Sequence, residues 1–178
     1  MSLSAGQQAL LDVSAAFAAA DTSELTVEPL LHASQEMLKL YDLMFPKKGM
    51  IYDLLKKDHE GHIKGLRKLY DADKAAGADA AAPGSLAPLL EREIAKRGMA
   101  SVRGDLASGV CSTLWLMRTF AFLIRFLDNL CNPANAKDEA FDCARNAYKE
   151  VLYPFHRTLV SITVKLALGA CAVVAPGV

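Results

Sequence analysis

Apolar residues recur along the chain at spacings of three and four, as they do when one face of a helix turns toward a core. This periodicity predicts helices over 4–19, 28–44, 50–73, 86–98, 101–130, 136–152 and 155–172. Sustained alternation of apolar and polar residues is absent, and so are Asn-Gly and Asp-Gly hairpin turns. Pro29 suits the first turn of the second helix, where its missing N–H costs nothing. Phe45-Pro46-Lys47-Lys48-Gly49 breaks the chain before the third, Cys131-Asn132-Pro133 closes the longest, and Pro154 breaks or kinks the path into the last. Lys74 to Ala87, KAAGADAAAPGSLA, is low in complexity and reads as a surface linker, since neither half of the chain has a convincing core alone. The pattern is that of a single all-α domain over 1–178.

Composition narrows the function classes. With 20 basic and 20 acidic residues the chain has no formal net charge, whereas a nucleic-acid binder needs a basic excess against phosphate. An apolar fraction of 52% argues against disorder and stands at the upper edge for a globular chain. Cys111, Cys131, Cys143 and Cys171 form no CxxC pair and no zinc-like spacing, and read as reduced, mostly buried thiols. The N-terminal MSLSAGQQALLDVSAAF lacks a basic leader and is interrupted by Asp12, so it makes a poor signal peptide. Val110 to Leu127 is apolar enough to suggest a membrane span. Arg118 and Arg125 would each cost about 2.5–3.5 kcal/mol at membrane depth, so a long buried helix is the expectation.

Three places carry candidate chemistry. Asp58-His59-Glu60-Gly61-His62 offers four potential metal ligands. A helical zinc-protease motif needs histidines four apart, and here they are three apart, so spacing alone predicts a solvated helix face. Asp58 and His62, four apart, share a side of that helix. Trp115, the single tryptophan, lies in the most apolar helix and patterns as a core residue, although Arg118 follows one turn later. His156 stands after Pro154 among apolar neighbours, where a hydrogen-bonded core histidine is the ordinary reading. Nucleophile elbows, phosphate loops and dinucleotide fingerprints are missing, and nothing around Cys111 suggests an activated thiolate toward His156.

Four ordered segments together resemble the glycolipid transfer protein family over about residues 25–176. Leu25-Thr26-Val27-Glu28-Pro29-Leu30-Leu31 is similar to the family's opening helix, and Lys57 to Leu66 looks like its Asp-x-x-Gly-Asn-Ile-x-Lys-Leu segment. Leu114-Trp115-Leu116-Met117-Arg118 matches Leu-Trp-Leu-x-Arg. Ala147-Tyr148 through Leu152 to His156 matches Ala-Tyr-x-x-x-Leu-x-x-x-His, with Ala175-Pro176 echoing the close. The resemblance implies a two-layer all-helical sandwich, cytoplasmic and monomeric, that carries one sphingolipid between membranes without ATP, metal or cofactor. It places Asp58 on the headgroup and ceramide amide, His156 on the ceramide carbonyl and Trp115 beneath the first sugar. His62 stands at the family's sugar-binding asparagine, and Leu152 and Val164 fall among the pocket-lining positions. Gly65, Lys68, Arg118 and Cys111 are auxiliary positions around the headgroup.

Such a carrier is physically sensible. Two chains of about 30 methylenes gain on the order of 24 kcal/mol by avoiding water, so the protein must offer an equally apolar sleeve. A few convergent polar groups then select the headgroup.

Two departures affect specificity. The family's asparagine is His62 here and its nearby lysine is Gly65; Lys68 is a weak substitute. Ceramide-1-phosphate carriers place cations where this chain has His62, Trp115 and Cys111, and phosphate prefers bidentate arginines. Trp115 therefore tips the expectation toward a glycosylceramide, with a phosphosphingolipid as the alternative. The family's docking tryptophan is Thr158 here, and Phe45 to Met50 combines apolar tips with two lysines as an interfacial loop would. A lipid sensor that hardly moves its ligand, and a metal-dependent enzyme using Asp58, His62 and His156, are the readings from other classes.

Overall fold

The computed structural model describes residues 5–20, 24–44, 50–78, 84–135 and 140–156. Its α-helices are α1 (Ala5–Ala20), α2 (Val27–Met44), α3 (Met50–Ala75), α4 (Leu86–Arg97), α5 (Met99–Gly104), α6 (Gly109–Cys131) and α7 (Ala140–Val151). Among the described residues there is no strand, only one antiparallel bridge between Thr26 and Ser85. The chain is all-α. It divides into two compact units, Met1–Leu116 and Met117–Val178, which are described separately.

In the first unit α1 lies along α2, presenting Ala9, Val13 and Ala16 at helical spacing. α2 buries Leu30, Leu31 and Met37, and packs in turn on α3. Paired guanidinium–carboxylate forks link neighbouring helices: Arg67 on α3 holds Glu28 on α2, and Arg92 on α4 holds Asp73 on α3. The linker expected over 74–87 is anchored at its far end. Val27 donates to the Gly84 carbonyl at 2.8 Å and Leu86 to that of Leu25 at 2.9 Å, which sets the starts of α2 and α4 side by side.

The sequence expectation of one helix over 101–130 is corrected. α5 ends at Gly104, and a turn precedes α6. Asp105 accepts the Ala107 N–H at 2.9 Å, and Ser108 caps α6 by accepting the Cys111 N–H at 3.1 Å. Glu93 of α4, buried, accepts the Gly109 and Val110 N–H groups at 3.3 and 2.9 Å and pairs with Arg97 at 2.9 Å. Three orphan donors of the α6 N-terminus are thereby satisfied, two of them by a carboxylate well suited to the helix dipole. With that division α3, at 26 residues, is longer than α6 at 23.

α6 is long and apolar enough to cross a membrane, but only 39% of its most apolar stretch is buried. The expectation of a buried helix therefore holds for one face, containing Leu116, Phe120 and Leu123, while Leu114 and Ile124 are exposed. In the second unit, α7 buries Cys143, Ala147 and Tyr148. Asn129 of α6 donates to the Cys143 carbonyl at 3.2 Å, and Arg125 pairs with Glu150 at 2.8 Å. Pro154 falls in a 3-10 turn, Tyr153–Phe155, so α7 does end where the proline predicts. The helix expected over 155–172 does not begin at Phe155, which belongs to that turn, or at His156, which is extended; its remainder and the 45–49 break lie outside the described residues.

Candidate functional site

α3 and the first two turns of α6 run antiparallel, and small residues decide how closely. A Cβ on Gly65 would stand 2.2 Å from Ser112 Oγ and 3.0 Å from the Ala107 carbonyl oxygen. One on Gly109 would stand 2.2 Å from the Leu69 side chain. Glycine at both positions brings the two backbones together. One turn along from the Gly65–Ser112 contact, the same register sets His62 against Trp115, their rings parallel within 11° and 6.1 Å apart at the centroids.

Asp58 lies one turn before His62 on α3, with its Oδ2 3.6 Å from His62 Nε2. The carboxylate is 69% exposed and the imidazole only 10%, so the pair spans the edge of the packed surface. An acceptor, an imidazole and an indole face thus meet at one place. Such a set can accept hydroxyl protons and stack on the C–H face of a ring.

The expectation of a solvated face over 58–62 is corrected. His59 and His62 fall on the buried side of α3 with Tyr52, Ile63, Leu66 and Tyr70. His59 Nε2 lies 3.0 Å from the Ser34 carbonyl, its ring meets Tyr41 edge-on, and burial drives its pKa down to about 4. Sequence reasoning passed over Tyr41. Burial pushes its phenol well up, and the neighbouring Asp58 charge adds to the rise. Nothing in the spacing of α2 announces that proximity. Among the described residues no three His, Cys, Asp or Glu side chains are grouped to hold a metal ion.

The auxiliary positions have other neighbours. Cys111 is buried and its thiol donates to the Val102 carbonyl at 3.1 Å. Lys68 is exposed, and its charge acts on Asp105, whose carboxyl is held low chiefly by its bond to Arg97. Gly65 opens no space, because Ser112 fills it.

In the second unit His156 follows the 3-10 turn, half-buried, with Nδ1 2.9 Å from the Tyr148 hydroxyl. Burial raises the Tyr148 pKa, which keeps that phenol protonated. When it donates to Nδ1, the ring proton is fixed on Nε2. Arg118 stacks over Phe155 at 3.7 Å, and Leu152 is half-buried between α7 and the turn. Val164, Thr158 and Cys171 lie outside the described residues.

The family model described as glycolipid transfer protein matches residues 25–174. The chain belongs to the glycolipid transfer protein family. Neither the curated proteins nor the solved structures contain a match to it. The match spans α2 to α7 and includes Asp58, His62, Trp115 and His156, while α1 precedes it. Members of the glycolipid transfer protein family are lipid transfer proteins, and a lipid is the partner that this membership supports.

Proposed function

We propose that this chain is a single lipid-binding domain that moves a sphingolipid between membranes without ATP, and that glycosylceramide is its favoured cargo. The observation that carries this reading is the meeting of the exposed Asp58 carboxylate with the stacked His62 and Trp115 rings. A sugar offers hydroxyls to the first and a C–H face to the indole. His156, whose Nδ1 meets the Tyr148 hydroxyl, supplies an Nε2 donor for an amide carbonyl when that phenol donates to Nδ1. The chains would occupy an apolar sleeve to which Leu152 contributes. The reading includes a cytoplasmic monomer that visits membrane surfaces transiently and performs no catalysis.

The test is transfer of labelled glucosylceramide between vesicles by the wild type, Asp58→Val and His156→Leu, with ceramide-1-phosphate as competitor. We expect at least a tenfold loss in each variant. Asp58 is exposed, so its replacement should leave the melting temperature nearly unchanged. Wild-type rates in both variants would remove these residues from the site. Saturable preference for the phosphate would overturn the choice of headgroup, and tight binding with negligible transfer would identify a sensor.

A further inference from the structure

The imidazole of His62 engages the two groups that the proposed headgroup needs. Its Nε2 lies 3.6 Å from the Asp58 carboxylate, and its ring lies parallel to the Trp115 indole with centroids 6.1 Å apart. The side chain is 10% exposed, so it sits within this corner of the structure rather than over it. A sugar would meet the same two groups, its hydroxyls at the carboxylate and its C–H face at the indole.

We propose that His62 is a built-in occupant of the headgroup site: in the empty protein its imidazole holds the Asp58 carboxylate and lies along the Trp115 indole, and a glycosyl headgroup enters by displacing it. This rests on the glycolipid reading above. Displacement needs only a change of side-chain rotamer, within reach of thermal motion. His62 thereby sets a threshold that a headgroup must exceed, and favours ligands able to replace the carboxylate and indole contacts together.

Trp115 is the only tryptophan, so its fluorescence reports the ring contact without any lipid. In the full-length protein near neutral pH we expect His62→Ala to shift Trp115 emission, and glucosylceramide taken up from phosphatidylcholine vesicles to shift the wild-type emission as displacement of the imidazole requires. Uptake of glucosylceramide should be several-fold faster in His62→Ala than in the wild type, because the threshold is gone. His62→Gln, close in size, repeats both measurements if the alanine variant melts early. Emission unchanged by His62→Ala, or uptake slowed in both variants, would overturn the inference. Absence of uptake by every form, with the emission shift of His62→Ala intact, would overturn the glycolipid reading while upholding the ring contact.

Discussion

His59 is 3% exposed between α2 and α3, with Nε2 at the Ser34 carbonyl and Nδ1 without a partner. Burial lowers its pKa from 6.5 to about 4. An unfolded chain takes up this proton below pH 6.5 and the folded one does not until about 4. Stability from this group is therefore complete above 6.5 and declines as pH falls toward 4, by up to about 3 kcal/mol. Urea midpoints between pH 7 and 4 should show this decline, and His59→Phe, which keeps a ring against Tyr41, should flatten it. In the sequence His59 reads as a ligand candidate because its neighbours are polar. Its true place was legible in the spacing of Tyr52, His59, Ile63, Leu66 and Tyr70, a continuous buried stripe with which His62 is in phase. Gly65 was legible only as a departure from the family's lysine. Why glycine stands there depends on Ser112, 47 positions away, and no local pattern shows that pairing. Gly65→Lys should accordingly cost about 2 kcal/mol by overpacking against the Ala107 carbonyl and Ser112. Ser112→Ala should recover part of that loss, since it removes the closest atom and a buried hydroxyl without a partner. Melting temperatures of the two single variants and the double variant check the coupling.

Among the elements, α6 carries Trp115, and its direction is set from its first turn. Glu93 reaches that turn from α4, accepting two N–H groups and pairing with Arg97. Glu93→Ala leaves those two donors without their acceptor, at a cost of about 3 kcal/mol, while Arg97 keeps its pairing with Asp105. Glu93→Gln keeps the shape and one acceptor oxygen, and should cost less. If Glu93 also fixes the aim of α6, the alanine variant will shift Trp115 emission under conditions where it remains folded. An unshifted spectrum would confine Glu93 to stability. Most helices were legible because their apolar periodicity is strong and their ends carry Pro or Gly. The break between α5 and α6 was not, although Gly104, Asp105 and Ser108 are all turn or cap residues. The apolar period on either side runs through them nearly in phase, so periodicity outweighed the local stop signals. The Glu93 anchor is legible in neither place, because it joins residues 16 and 17 positions apart through tertiary contact.

At the scale of the whole molecule, equal numbers of acidic and basic residues constrain how a lipid carrier meets its membrane. Anionic leaflets attract each Lys or Arg near the surface by about 1 kcal/mol, and acidic residues oppose this. A chain with 20 of each has no overall pull toward such a surface, so apolar contact must supply what attraction it has. Transfer of glucosylceramide should then differ by less than about twofold between neutral donor vesicles and vesicles containing about 30 mol% anionic lipid. It should also change little between about 0.05 and 0.3 M salt, over which the Debye length shrinks by more than half. Net charge governs only the long-range part of this attraction. A marked acceleration on anionic vesicles that salt abolishes would mean that basic residues are gathered on the docking face, Lys47 and Lys48 being the first to replace. With both changed to alanine, loss of that acceleration would assign the contact to these two residues, and its persistence would move the search to other basic residues.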